Sequence, residues 1–251
     1  MKRLLPFLLL LASSAFAGDG SVSLSPATIT LRGEPGQSTT QTLLLHNGTS
    51  RTLTFDVEAS DVIVRNGKRE FARAGSIAGS IAATAVTSQK HVVIESGASV
   101  HVDVTLTVPH EPSSRAVVVI FHGADKLMNG TMPMTANIGT LMTFALSDQV
   151  TMSAAPLHVQ PQTATANLAV SQTCTNSGSE PLVAKGILAV LGSDGKLAGK
   201  TALQPHRLLP GESADLGAEY AAELQPGHYR VLVTYDIEGK TSTHEAEVDV
   251  P

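Results

Sequence analysis

Apolar and polar residues alternate along much of the chain, and this period of two limits the possible folds more than any other feature. In the clearest run, polar residues separate Val100, Val102, Val104, Leu106 and Val108. A second run extends from Tyr229 to Ile237. Successive side chains of a β-strand point to opposite faces, so each run predicts a strand with one face on a core and the other in water. The sequence therefore predicts an all-β protein.

Dipeptides that favour turns separate the predicted strands. Asparagine and glycine both tolerate positive φ angles, so Asn-Gly pairs predict hairpin turns, and Pro-Gly pairs predict loops. Short strands with this spacing are typical of a β-sandwich. One Asn-Gly pair, in Asn47-Gly48-Thr49, also matches the acceptor for N-glycosylation, but we favour the turn. The pairs are Asn47-Gly48, Asn66-Gly67, Asn129-Gly130, Glu238-Gly239, Pro35-Gly36 and Pro210-Gly211.

The first predicted strand changes parity at a proline. Val22 and Leu24 share one face, whereas Ile29 and Leu31 share the other, and Pro26 lies between them. Proline cannot donate a hydrogen bond to a ladder, so it is confined to edges and bends. The pattern predicts an edge strand that passes from one sheet of a sandwich to the other.

The chain of 251 residues is long enough for two domains. Prolines 156 and 161 interrupt the pattern, which predicts one immunoglobulin-like β-sandwich at 18–152 and a second at 160–251. The segments 43–50 and 172–179 echo each other, because each is a strand that ends in an Asn turn. The Ala/Ser/Gly-rich stretch 69–89 is either a long loop or the site of a short helix.

The amino terminus predicts export. Lys2 and Arg3 precede a short apolar run, and Ala15-Phe16-Ala17 completes the pattern of a cleavable signal peptide at 1–17. A second apolar run of this kind does not follow, so we expect no integral membrane segment. We expect the mature protein in the periplasm or at the cell surface. Cys174 is the single cysteine, and its parity with Leu168 and Val170 predicts a small buried side chain.

Motifs for catalysis are not found in the sequence. It lacks a P-loop, a dinucleotide fingerprint and a complete H-E-x-x-H motif. The nine histidines are scattered, so we expect no metal and no cofactor, and we predict that the protein is not an enzyme. A net charge of −5 without a long basic tract argues against nucleic acid as a partner. The basic stretch Arg65–Arg73 is either a contact for carboxylates and acidic polymers or a solvated hairpin tip.

The turn and strand-end motifs of the chain resemble those of exported bacterial immunoglobulin-like proteins. This group includes the periplasmic pilus chaperones and the first domain of WxL-type surface proteins. The resemblance covers most of residues 21–250 and implies two sandwiches that bind a protein partner. Its motifs are turns and strand ends, which specify fold better than activity. They are Ser25-Pro26, Pro35-Gly36-Gln37-Ser38, Ser96-Gly97-Ala98-Ser99, Val108-Pro109 and Pro226-Gly227-His228-Tyr229-Arg230.

The resemblance also implies a binding site. Pilus chaperones hold the carboxyl terminus of a subunit with two basic residues, one on the first strand and one on the last strand of domain one. Arg32 matches the first, whereas the predicted strand 137–146 contains no Lys or Arg to match the second. In that strand Ile138, Met142, Phe144 and Leu146 share one parity. They either form a surface for a partner or fill the core of their own domain.

Two hypotheses for function follow. The first is a non-enzymatic periplasmic assembly or chaperone-like protein, which binds an extended segment of a protein partner by edge-strand addition. The alternative is a structural or adhesive module of the cell envelope, which binds peptidoglycan or a surface protein.

Overall fold

The computed structural model describes residues 21–129 and 132–251. The predicted signal peptide at 1–17 and Gly130 of the predicted Asn129-Gly130 turn lie outside the described residues. The elements are β1 Val22–Ser25, β2 Thr28–Arg32, β3 Ser38–Asn47, β4 Leu53–Arg65, β5 Lys68–Arg73, a 3₁₀ helix Ala82–Thr84, β6 Val86–Thr87, β7 His91–Ile94, β8 Ser99–Thr107, β9 Ala116–Asn129, β10 Met132–Ala145, β11 Met152–Ala154, β12 His158–Gln160, β13 Leu168–Asn176, β14 Leu182–Gly192, β15 Leu197–Leu208, β16 Ser213–Tyr220, β17 Gly227–Ile237 and β18 Lys240–Val250.

The first sandwich consists of two sheets. One has the strand order β1-β3-β8-β6, and the other has β2-β10-β9-β4-β5, with β7 paired to β4. Their inner faces bury one core, in which Leu43, Phe55, Val104 and Phe121 are almost fully inaccessible. Val102, Val104 and Leu106 alternate with exposed or half-buried residues along β8, as the sequence predicted.

The first strand does change sheets. β1 pairs antiparallel with β3, whereas β2 pairs parallel with β10 in the opposite sheet. Pro26 lies between the two pairings, and each segment is at the end of its sheet. The prediction of an edge strand that crosses between sheets is therefore confirmed.

The second sandwich consists of β11, β12 and β16 around β13, and of the sheet β15-β14-β17-β18. Cys174 is fully buried in its core, as predicted. The stretch expected to separate the domains instead forms β11 and β12, which both pair with β13. Pro156 interrupts this edge but does not end it. The chain therefore passes between the sandwiches after Ala145 and before Met152, and the predicted boundary was placed too late.

The predicted turns divide into two kinds. Asn66 and Gly67 have φ angles of 51° and 75° and join β4 to β5, so this pair is a hairpin turn as expected. Asn47 and Gly48 are not, because β3 and β4 lie in different sheets. Asn47 is fully buried at this corner, which also leaves its side chain inaccessible to a glycan.

The buried asparagines explain the echo between the two halves. The Asn47 amide donates to the carbonyl of Arg51, and the Asn176 amide donates to that of Glu180, four residues on in each case. Each side-chain oxygen accepts the N–H of the second residue after it, Thr49 or Gly178. The repeated unit is thus a corner that holds a strand end to the loops around it.

The stretch 69–89 is mostly irregular and contains the short 3₁₀ helix, which was one of the two alternatives. The carboxylate of Asp61 is buried below it and accepts hydrogen bonds from the Ser80 hydroxyl and, at 3.2 Å, from the Ala82 N–H. The Ser80 oxygen in turn accepts the N–H groups of Gly75 and Ala83. These bonds satisfy backbone groups that a regular sheet would otherwise pair.

Candidate functional site: an open sheet edge beside the domain junction

Strand β10 has a partner along its whole length on one side only. It pairs with β9 from Met132 to Thr143, but β2 covers only Leu141–Ala145. On the β2 side, residues 132–140 have no strand partner in the described part of the chain. The terminal strand β2 is thus shorter than β10, and residues 132–140 of β10, called the open half below, form a free edge of the six-stranded sheet.

The free edge has a definite hydrogen-bonding direction. The Leu141 N–H donates to the Ala27 carbonyl at 3.0 Å, so the backbone groups of Leu141 face the β2 side. Asn137 and Gly139 are in the same antiparallel register, and groups two residues apart along a strand face the same way. Their N–H and C=O groups therefore face the side that β2 leaves uncovered, as at any sheet edge able to accept another strand.

The predicted contact residues of this strand are not gathered into one surface. Met142 and Phe144 are 0% and 1% exposed and belong to the core of the first sandwich. The prediction of a surface for a partner is therefore wrong for these two residues, because the opposite sheet covers that face. Ile138 is partly buried against the same core and is the one residue of the four in the open half. Leu146 follows the strand and donates its N–H to Glu180 at 2.9 Å.

Arg32 is the last residue of β2 and pairs with Ala145, the last residue of β10. Its guanidinium is exposed and forms an ion pair with Asp148. The hydrogen bond and charge of Asp148 raise the pKa of Arg32 further. The charge of this predicted site residue is therefore already paired within the chain.

The second sandwich covers part of the outer face of the six-stranded sheet. Leu209 is 2% exposed and packs there against Val62, Ala116 and Val118. This apolar cluster is separate from the cores of the two sandwiches. It fixes the second sandwich against the first on the sheet that carries the open edge.

Two arginines of the first sandwich reach buried glutamates of the second. The Arg69 Nε lies 2.7 Å from Glu212 Oε1, and the Arg115 Nε lies 3.6 Å from Glu180 Oε2. The main chain of the β4–β5 turn also contributes, because the Gly67 carbonyl accepts the Ser213 N–H at 2.9 Å. The basic stretch Arg65–Arg73 is therefore not solvated along its whole length, because Arg69 contacts the second sandwich.

Arg207 is a cation at this junction that sequence reasoning missed. Its Nη1 donates to the hydroxyls of Thr30 on β2 and Thr143 on β10, each at 2.7 Å. Among the described residues, no carboxylate lies within ion-pair distance of it. Burial lowers the pKa of Arg207, and the nearby charge of Arg69 lowers it further. A lone arginine between Pro205 and Leu208 has no motif around it, so no local signal marked it.

Arg207 lines a cavity of about 370 Å³ together with Lys68, Arg69 and His206, and with Glu212, whose carboxylate pairs with Arg69. Thr28 and Leu141 also line it. These two residues form the first pair of the β2–β10 ladder, at the point where the open half ends. The free edge therefore leads directly to a basic cavity.

The described part of the chain contains no group of three or more His, Cys, Asp or Glu side chains placed to bind a metal. Among the described helices, none is both long and apolar enough to cross a membrane.

Comparison with known proteins found similar chains among solved structures. No family model matches the chain, and no curated protein matches it. Among solved structures, the class 5 fimbriae chaperone CfaA is 14% identical, with 92% of this chain and 99% of that chain covered and a TM-score of 0.45. A chain of the CFA/I chaperone–tip adhesin complex is 15% identical, with 92% and 98% covered and a TM-score of 0.44. The E. coli chaperone DraB is 14% identical, with 91% and 98% covered and a TM-score of 0.42. The solved structures that this chain resembles over most of its length include these fimbrial chaperones.

Proposed function

We propose that this protein is a non-enzymatic, exported assembly or chaperone-like protein that binds an extended segment of a partner protein. The partner adds a strand to the open half of β10, at residues 132–140. The observation that carries this proposal is the free side of that strand, which begins where the pairing with β2 stops. Main-chain hydrogen bonds supply affinity in this mode of binding, and alternate side chains supply specificity.

The open half is long enough to bind a strand. Its nine residues span about 30 Å at the usual rise of a strand. The core of the first sandwich reaches its surface here through the partly buried Ile138. Every second side chain of an inserted strand would lie on the same face of the sheet as Ile138 and would extend the core. A free edge of this length invites aggregation unless a partner covers it, which is consistent with a binding role.

The basic cavity favours one direction for the partner. A segment parallel to β10 ends with its carboxyl terminus near Leu141, beside Lys68 and Arg207, whereas Arg69 is already paired with Glu212. An antiparallel segment would bring an amino group to the same cations. Because like charges repel and a guanidinium pairs well with a carboxylate, we propose the parallel direction. Arg207 has no carboxylate partner in the described part of the chain. In this proposal it binds the carboxyl terminus of the partner, the role that the resemblance gave to Arg32 and to a second basic residue that the sequence lacks.

A proline on the free edge tests the proposal. The N–H of Asn137 faces away from β9, so Asn137→Pro removes a donor from the free edge but not from the β9–β10 ladder. Asn137→Ala is the matched control, because it removes the same amide side chain and keeps the N–H. Each purified variant is used to capture partners from a periplasmic extract, and its thermal unfolding is compared with that of the wild type.

We expect the alanine variant to retain the partners of the wild type and the proline variant to lose them. A folded proline variant that captures every partner would exclude edge-strand addition at this site. Capture by isolated peptidoglycan rather than by protein would instead favour the alternative of an adhesive envelope module.

A further inference from the structure

Two side chains of β9 bring apolar surface to the free edge of β10. On the outer face of the six-stranded sheet, Ile120 pairs with Gly139 and Val118 pairs with Leu141. A Cβ atom on Gly139 would lie 3.1 Å from Val118 Cγ2 and 3.4 Å from Ile120 Cγ1, so both side chains lean over the glycine. Because Gly139 has no side chain, a strand that pairs with the open half can contact Ile120 directly.

This apolar surface continues to the domain junction. Ile120 and Leu141 pack against the apolar cluster around Leu209, and both remain partly exposed. Leu141 also lines the basic cavity. The outer face beside the free edge is thus apolar at the level of Gly139, and a strand bound there would cover more of this surface.

The outer face becomes polar one step further from the junction. Asn137 is exposed and pairs with His122, whose Nε2 lies 3.8 Å from Glu58 Oε2. Side chains two residues apart on a strand share a face. A strand parallel to β10 therefore places one outer side chain level with Gly139 and the previous outer side chain level with Asn137. The first meets apolar surface, and the second meets polar groups.

The Ala27 carbonyl already accepts the Leu141 N–H, so the last free position beside β10 is level with Gly139. We propose that Gly139 and Ile120 select an apolar side chain at this position, on the carboxyl-terminal residue of the bound segment. This inference rests on the proposed binding of a parallel strand to the open half. The residue before it faces the core beside Ile138, so the segment ends in two consecutive apolar residues rather than in an alternating pattern.

Peptides that differ in one residue measure this selection. The reference is a nine-residue peptide of alternating threonine and valine, which begins and ends with threonine and has a free carboxyl terminus. Its valines face the core, so its ninth residue lies level with Gly139 and its seventh residue lies level with Asn137. We expect leucine at the ninth position to tighten binding about tenfold, because it covers more apolar surface. Leucine at the seventh position should change binding less than about twofold.

Variants of the protein assign the preference to these two residues. Ile120→Thr removes the apolar contact and keeps a β-branched side chain, so it should abolish the preference for leucine at the ninth position and leave binding of the reference peptide within about twofold. Gly139→Ser should reduce the same preference, because its hydroxyl would lie between the peptide and Ile120. Val93→Thr, a similar change at an exposed position of β7, is the control. Isothermal titration calorimetry measures each affinity, and thermal unfolding verifies that each variant is folded.

Equal binding of the reference peptide and the ninth-position leucine peptide by the wild type would overturn this inference and leave the proposed function in place. So would a preference for leucine that Ile120→Thr leaves unchanged, or an equal gain from leucine at the seventh position. If none of the peptides binds the wild type, strand addition to the open half fails, and this inference fails with it.

Discussion

Replacement of Asn47 by alanine should strongly destabilise the first sandwich. The two N–H groups of the Asn47 amide are shared among three main-chain carbonyls, those of Arg51, Ile94 and Glu95, at 2.7–3.2 Å. Its oxygen accepts both the N–H and the hydroxyl of Thr49. Alanine removes all five bonds, although the Arg51 and Glu95 carbonyls keep the Thr49 hydroxyl and the Ala98 N–H as donors. The Ile94 carbonyl is the most deeply buried of these acceptors, since its bond to Asn47 is fully buried.

The size of the effect follows from the groups that lose their partners. Each buried polar group left unsatisfied costs about 1–3 kcal/mol, and water can reach part of this corner. We therefore expect Asn47→Ala to lower the free energy of unfolding by about 3–5 kcal/mol. Asn176→Ala should cost less, about 2–3 kcal/mol, because that side chain makes three such bonds rather than five.

Urea unfolding, followed by circular dichroism and by hydrogen exchange of each sandwich, measures both effects. Exchange should rise mainly in the first sandwich for Asn47→Ala and mainly in the second for Asn176→Ala. Asn47→Asp keeps the acceptor and loses the donors, so it should be at least as harmful as alanine. A loss below about 1 kcal/mol for Asn47→Ala would refute the reasoning that these bonds hold the corner.

Three further predictions concern the junction, the basic cavity and pH. Leu209→Ala should lower the free energy of unfolding by about 2–4 kcal/mol, because it leaves a cavity in a buried apolar cluster, and an unchanged urea midpoint would contradict this. The probe for the basic cavity is a nine-residue peptide of alternating valine and threonine, with either a free or an amidated carboxyl terminus. Arg207→Gln should weaken binding of the free-acid peptide by about tenfold or more and leave binding of the amidated peptide unchanged, with Arg230→Gln as the control. If wild type and Arg207→Gln bind both peptides equally, the proposed role of Arg207 is excluded. The hydrogen bond and charge of Asp249 raise the pKa of His228, so its stabilising effect is full below the unfolded pKa and is lost as the pH rises through the folded pKa. An NMR titration should show this raised pKa and its return towards the ordinary value in Asp249→Asn, and an unraised pKa in the wild type would contradict the contact.

Several features of the fold could be predicted from the sequence because their causes are local. The alternation in β8 and β17 identifies strands, since side-chain direction reverses at every residue of an extended chain. Pro26 and the change of parity around it predicted the crossing between sheets. Asn66-Gly67 predicted a hairpin because both residues adopt positive φ.

Other features could not be predicted because they depend on which strands become neighbours. Asn47-Gly48 is the same dipeptide as Asn66-Gly67, but the strands that flank it belong to different sheets, so it forms a buried corner instead of a hairpin turn. Met142 and Phe144 alternate like a contact surface, and only the facing sheet decides that they are core. Strands β11 and β12 read as a linker because they are three residues long and are separated by a proline.

By itself, the sequence determined the all-β class, the two sandwiches and the edge position of the first strand. These follow from side-chain parity and from the φ angles open to proline, glycine and asparagine, which act within a few residues. Only the tertiary structure decided that β2 pairs with just the last five residues of β10 and leaves the rest of that strand open. Only the packing of the second sandwich onto the outer face brought Arg207 to the end of this edge, 177 residues from Thr30 in the chain. Contacts over such separations arise from the whole fold, and no local pattern records them.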